Sequence, residues 1–103
     1  MFEPVYLPAA RQDMIDIVRY ISEELKNPIA AEHLAAELIR AGDGLPAFPY
    51  ANPVYLPIRP LQHEYRKLSV QNYLMLYWVD GGKQQVCIAR VIYAKRDYGQ
   101  MLE

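Results

Sequence analysis

The chain has 103 residues, of which 52% are hydrophobic and 22% charged, and its net charge is −1. This length supplies one domain with a modest core, not two domains, and the composition excludes a disordered chain. Near-neutrality also excludes indiscriminate nucleic-acid binding, which needs many uncompensated cations.

Val5, Tyr6 and Leu7 predict a short opening strand that Pro8 stops. Arg11 to about Lys26 reads as a helix, because Met14, Ile15, Val18, Ile21, Ser22 and Leu25 line one stripe at i, i+3, i+4, i+7 spacing. Asn27-Pro28 opens a second helix, with Asn as N-cap and Pro in the first turn, where its missing N–H costs nothing. Ala31, Leu34, Ala35 and Leu38 form its apolar face, and Gly42 is placed as its C-cap. Two helices joined so tightly predict an antiparallel hairpin.

Residues 45–62 have another texture. Pro46, Pro49, Pro53, Pro57 and Pro60 forbid a regular helix or a central strand. Phe48, Tyr50 and Tyr55 argue for an ordered crossing loop pinned to the core by its aromatics, not a flexible linker.

From Glu64 onward the pattern is β. Tyr65–Val70 alternates, with Arg66, Leu68 and Val70 on one face and Tyr65, Lys67 and Ser69 on the other. Gln71-Asn72 is a two-residue turn candidate, Asn being able to take a positive φ. Tyr73–Val79 is apolar on both faces, as expected of a central strand covered on both sides. Gly81-Gly82 is the clearest hairpin signal, and Val86–Tyr93 returns as a strand. Lys95–Leu102 fits a short final helix. The expected architecture is α+β: an N-terminal strand, an antiparallel helical hairpin packed on a small, mainly antiparallel sheet, and a short C-terminal helix, in one domain over residues 1–103.

Charge divides unevenly along this layout. Residues 1–44 carry four bases against eight acids, and residues 45–103 seven bases against four, so the second half can present the basic surface. The single cysteine, Cys87, forbids an internal disulfide and fits a reducing cytoplasm. Met1-Phe2-Glu3-Pro4 lacks a basic region followed by an apolar run, so no signal peptide is expected. No apolar stretch is long enough for a membrane span.

The stretch Tyr65-Arg66-Lys67-Leu68-Ser69-Val70-Gln71-Asn72-Tyr73 and the apolar run to Tyr77-Trp78-Val79-Asp80 resemble the middle hairpin of the RelE/ParE toxin superfamily. Val86-Cys87-Ile88-Ala89-Arg90-Val91-Ile92-Tyr93, followed by Arg96-Asp97, is similar to that family's last strand and its Arg-Asp pair. Phe48-Pro49 sits where many members carry Phe-Pro after the second helix. One departure is Gln71, where the family often has Gly, which predicts a longer or bulged turn.

The resemblance implies the toxin of a type II toxin–antitoxin system, acting in the cytoplasm and forming a hetero-oligomer with a cognate antitoxin that neutralises it. It implies no cofactor, no metal and no membrane partner. Two targets divide the family: ParE-like members inhibit DNA gyrase, and RelE-like members cleave mRNA on the ribosome. Metal-independent RNA cleavage needs a base for the 2′-hydroxyl, cations beside the phosphate and an acid for the leaving oxygen. On the family pattern the catalytic candidates are Lys67, Arg96 and Tyr98. Leu74 and Leu102 stand where a RelE-like ribonuclease carries Arg and Tyr. That favours gyrase inhibition, with a RelE-like mRNA interferase or a non-toxic binding module on the same fold as alternatives.

Target or antitoxin contact falls to Arg66, Lys67, Arg90, Lys95 and Arg96. Arg66 can equally be a strand-end arginine in an ion pair, and Lys67 a solvated lysine. Arg90 shares strand parity with Ile88 and Ile92, so it must reach solvent or pair with an acid. Lys95-Arg96 is the best-placed basic pair. His33 and His63 lie far apart without further ligands at metal spacing. Cys87 reads as a small core residue.

Overall fold

The computed structural model describes residues 1–96 and 98–102. The elements are β1 (Glu3–Tyr6), α1 (Pro8–Arg19) continued by a π-helical turn (Tyr20–Glu24), α2 (Pro28–Gly44), β2 (Tyr65–Val70), β3 (Tyr73–Asp80) and β4 (Gln85–Tyr93). One sheet has the order β1-β4-β3-β2. β2, β3 and β4 form an antiparallel meander, and β1 joins β4 in parallel, Glu3 opposite Gln85 and Tyr6 opposite Ile88. This is the expected α+β arrangement. The end of the chain forms a single 3₁₀ turn, Gly99–Met101, where a short helix was expected.

The sheet is covered on both faces, as the doubly apolar β3 requires. Ala10, Leu34, Leu38, Val70, Met75, Tyr77 and Ile88 belong to the core under the helices. Tyr65, Leu76, Ala89, Ile92 and Leu102 form a second core on the opposite face, beneath the 48–64 loop and the C-terminal turn.

Pro8 opens α1 rather than merely ending β1. Asn27 caps α2 as expected, its Oδ1 accepting the Ala30 N–H at 3.2 Å, with Pro28 in the first turn. Gly42 is not the cap: α2 runs on to Gly44, and a Cβ at position 42 would meet the Tyr6 ring, with Cζ at 2.8 Å.

The π turn divides the stripe that α1 shows in sequence. Its wider winding ends with Leu25 N–H on Tyr20 O, Asn27 N–H on Ile21 O, and Lys26 left-handed at φ 52°. Met14 and Ile21 face the sheet together with Ala10 and Ile17. Ile15, Val18 and Ser22 instead line an open groove toward α2, and Leu25 is exposed.

Both hairpins form, with unexpected turn chemistry. Gln71-Asn72 is a two-residue turn, not a longer one, and Gln71 rather than Asn72 takes the positive φ, 53°. In the second hairpin the left-handed residue is Gln84, at φ 52°, and neither Gly81 nor Gly82 has a positive φ. The β3–β4 pairing shifts between Leu76, opposite Arg90, and Tyr77, opposite Ile88. This bulge breaks the parity read along β4: Ile88 packs under the helices and Ile92 in the second core.

Candidate functional site

The two basic residues of β2 face opposite sides, as alternation requires, and have different surroundings. Arg66 shares the face of Leu68 and Val70 but turns into the 48–64 loop. Its Nη1 donates to the carbonyls of Asn52 at 2.7 Å and Tyr50 at 3.1 Å. Its Nη2 reaches Glu64 at 3.4 Å, and its guanidinium lies 5.3 Å from the Tyr50 ring centre. Here Arg66 organises the loop.

That loop follows the edge of β2. Tyr55 N–H donates to Tyr65 O at 2.8 Å and Lys67 N–H to Pro53 O at 3.1 Å, so two rungs of an irregular outer strand form. Asn52 Nδ2 donates to the Tyr77 hydroxyl at 3.1 Å, and that hydroxyl donates to Pro49 O at 3.3 Å. Burial pushes the Tyr77 phenol up, against the opposing effect of Asn52. The aromatic anchoring is partial: Tyr55 packs in the second core, Tyr50 touches Phe2 edge-on, and Phe48 is exposed.

Lys67 lies on the second face, half-buried, opposite Leu76. Tyr98 packs against the same core, its ring 5.4 Å from Tyr55. Lys95 and Arg96 are exposed in the turn after β4, where Arg96 N–H caps the Tyr93 carbonyl at 3.0 Å. Asp97 lies outside the described residues. Among the described residues, no hydrogen bond or ion pair links Lys67, Arg96 and Tyr98, and the side chains of Lys67, Lys95 and Arg96 have no partner.

Arg90 is placed otherwise. Its Nε and Nη2 bind both oxygens of Asp13 on α1, at 2.7 and 2.9 Å, and its Nη1 donates to Met101 O at 3.2 Å. The Asp13 bonds raise its pKa, against the effect of burial. Arg90 therefore ties α1, β4 and the C-terminal turn together.

The positions that lack the RelE-like pattern are apolar core. Leu74 is 8% exposed and Leu102 1%. Cys87 is buried beside Trp78, and burial pushes its thiol up, away from a reactive thiolate. Among the described residues, no cluster of three His, Cys, Asp or Glu side chains could hold a metal ion. No helix among them is long and apolar enough to cross a membrane.

No residue spacing in the sequence marks the cleft on the second face. Leu7, Tyr65, Trp78, Arg90 and Leu102 help line a volume of about 310 Å³. His63 lies flat on Trp78 at its rim, with ring centres 3.7 Å apart and planes within 1°. The two residues are 15 positions apart, and no periodicity connects them.

No curated protein matches the chain. A solved structure described as the chromosomal ParDE TA system from P. aeruginosa superposes with a TM-score of 0.74 at 15% identity, covering 92% of this chain and 98% of that one. This likeness shows a shared fold. The family model of the ParE toxin of the type II toxin–antitoxin system parDE matches residues 5–98. The chain therefore belongs to the ParE toxin family, as the toxin component of a type II toxin–antitoxin system.

Proposed function

We propose that this toxin arrests growth by binding DNA gyrase rather than by cleaving mRNA, and that a cognate antitoxin neutralises it by binding. The observation that carries this reading is the apolar burial of Leu74 and Leu102. A metal-free ribonuclease needs groups that move protons and hold the scissile phosphate. At the two positions where the RelE-like pattern supplies such groups, this chain invests in core packing. Arg66 and Arg90 are likewise committed to carbonyls and to Asp13. Of the candidate contact residues, Lys95 and Arg96 remain exposed and suit contact with a macromolecule, and half-buried Lys67 adds a cation on the second face.

The test is regulated expression without antitoxin, joined to a supercoiling assay with purified gyrase. Filamentation, DNA-damage signalling and loss of supercoiling are expected. Rapid loss of protein synthesis with supercoiling intact would return the chain to the mRNA interferase reading, with Lys67, Arg96 and Tyr98 as its catalytic set. Normal growth at confirmed soluble expression would leave only a non-toxic binding module.

A further inference from the structure

At one end of the sheet three tyrosines meet at the surface. Tyr73 opens β3 and Tyr93 closes β4, directly opposite each other in register. Their rings meet edge-on, with centres 5.8 Å apart. Tyr93 stands two residues beyond Val91, so strand alternation points it to the helix-covered face. Tyr20 opens the π turn on that face, and with Tyr93 it lies within electrostatic reach of Tyr73: burial first, and then these two phenols, push the Tyr73 phenol up. Tyr20 is 53% exposed and Tyr93 43%.

The cluster presents donors without acceptors. Among the described residues, none of the three hydroxyls has a hydrogen-bond partner, and neither do the side chains of Lys95 and Arg96. The turn that carries those exposed cations is held against this end of the sheet. Ala94 N–H donates to Asn72 O at 2.9 Å, and Arg96 N–H to Tyr93 O at 3.0 Å. Glu37 also reaches this end, where it accepts from Gln71 Nε2. Three hydroxyls and two cations therefore remain to donate to something outside the chain.

We propose that Tyr20, Tyr73 and Tyr93, with Lys95 and Arg96, form the centre of the contact with gyrase and dock on an acidic patch of that protein; this rests on the gyrase reading above. Carboxylates accept from hydroxyls and cations alike, and tyrosine and arginine are among the side chains that most often anchor protein contacts. Rings already fixed against each other lose little freedom on binding. DNA fits the patch less well. Phosphate contact along a duplex needs more than two cations on a chain of net charge −1. Base stacking needs open ring faces, whereas Tyr73 is half-buried and packs edge-on against Tyr93.

The test measures binding of the purified toxin to purified gyrase without DNA, with a thermal melt of each variant. Tyr93→Ala is expected to weaken binding roughly ten-fold, and Tyr20→Ala combined with it roughly a hundred-fold. Lys95→Glu leaves no internal group unpaired, so it should keep the native melting temperature while weakening binding at least roughly ten-fold. It decides the case if the tyrosine variants melt early. Lys83→Glu, exposed in the far hairpin, makes the same charge change away from the cluster and should leave binding unchanged. Equal weakening by Lys83→Glu and Lys95→Glu overturns the proposal, because net charge alone then accounts for it. Native affinity in Lys95→Glu, or in a tyrosine double variant that melts at the native temperature, overturns it as well. Binding of the wild-type toxin to a short DNA duplex, lost in Lys95→Glu, assigns the patch to nucleic acid and also overturns it. A wild-type toxin that does not bind gyrase at all defeats the gyrase reading and the proposal with it, a different result from a toxin that binds gyrase through another surface.

Discussion

Asp13 on α1 grips Arg90 on β4 with both carboxylate oxygens, and the same carboxylate accepts the Val91 N–H at 2.9 Å. β1 ends opposite Ile88, so the edge of β4 loses its strand partner there, and a side chain from α1 takes over the donor left without one. The two side chains are 22% and 15% exposed, which makes the pair mostly desolvated. Asp13→Ala would strand a guanidinium and a backbone N–H together, at a cost of about 2–4 kcal/mol in urea unfolding. Asp13→Asn keeps an acceptor for Val91 and should cost less. A loss under about 1 kcal/mol for Asp13→Ala would show that the pair contributes little.

Tyr6 predicts an alkaline weakness. Its hydroxyl donates to Asp43 Oδ1 at 2.8 Å, with the Ile39 carbonyl oxygen at 3.3 Å. Burial first, and then Asp43, hold this phenol protonated well above its ordinary value of 10.0. The unfolded chain ionises at that ordinary value and the folded chain does not, so stability present below about pH 10 is lost as pH rises further. Burial raises Tyr73 and Tyr77 in the same direction. Thermal melts from about pH 8 to 11 should therefore fall less steeply for Tyr6→Phe than for the native chain, with a residual slope from the other two tyrosines. Parallel curves would remove Tyr6 from this effect.

Gln71 pays a conformational cost at φ 53° that glycine would avoid. Its Nε2 bond to Glu37 Oε2, at 2.9 Å, is solvent-exposed and offsets little. Gln71→Gly should stabilise the fold by about 0.5–1 kcal/mol, seen as a higher urea midpoint at unchanged slope. A lower midpoint would mean that the link to α2 outweighs the strain.

Arg66 should govern order in the loop rather than the stability of the whole sheet. Arg66→Ala removes the donors to the Tyr50 and Asn52 carbonyls and the contact with the Tyr50 ring. Amide exchange is expected to rise at Tyr55 and Lys67, whose N–H groups pair loop with strand, while the β3–β4 amides stay protected. Uniform deprotection of the sheet would contradict this division.

Arg96→Ala should lower toxicity while leaving the far-ultraviolet circular dichroism and the melting temperature unchanged. The side chain is exposed and has no partner among the described residues, so its removal leaves nothing unsatisfied. Undiminished growth arrest would take Arg96 out of the target-contact surface.

Much of the fold was legible because local chemistry and tertiary context agree. Asn27-Pro28 can hardly do other than open a helix, and the alternation at 65–70 meets a strand apolar on both faces. The parts that were not legible are single-residue insertions and long-range contacts. One extra residue in the π turn splits the α1 stripe, and one at Ala89 breaks the parity that grouped Arg90 with Ile88 and Ile92. Neither insertion has a compositional mark. The two left-handed turn residues were hidden for a related reason: Gln71 takes the strain although Asn72 follows it, and Gln84 takes it although Gly82 lies two residues before. At the candidate site, sequence placed Arg66 and Lys67 on opposite faces, but the carbonyls that engage Arg66 come from a loop whose path no period describes.

The prolines of that loop have a further consequence. The segment around Pro53–Tyr55 occupies the outer edge of β2 and then leaves it. Pro53 has no N–H, and Pro49 and Pro57 on either side deny the segment a regular ladder of its own. It thus satisfies its neighbour without presenting a new edge to any other strand. A bare edge on β2 would invite the same edge on another molecule, and an apolar sheet could then grow into an aggregate. The proline spacing makes the outermost strand a terminator, which blocks edge-to-edge growth of the sheet on that side.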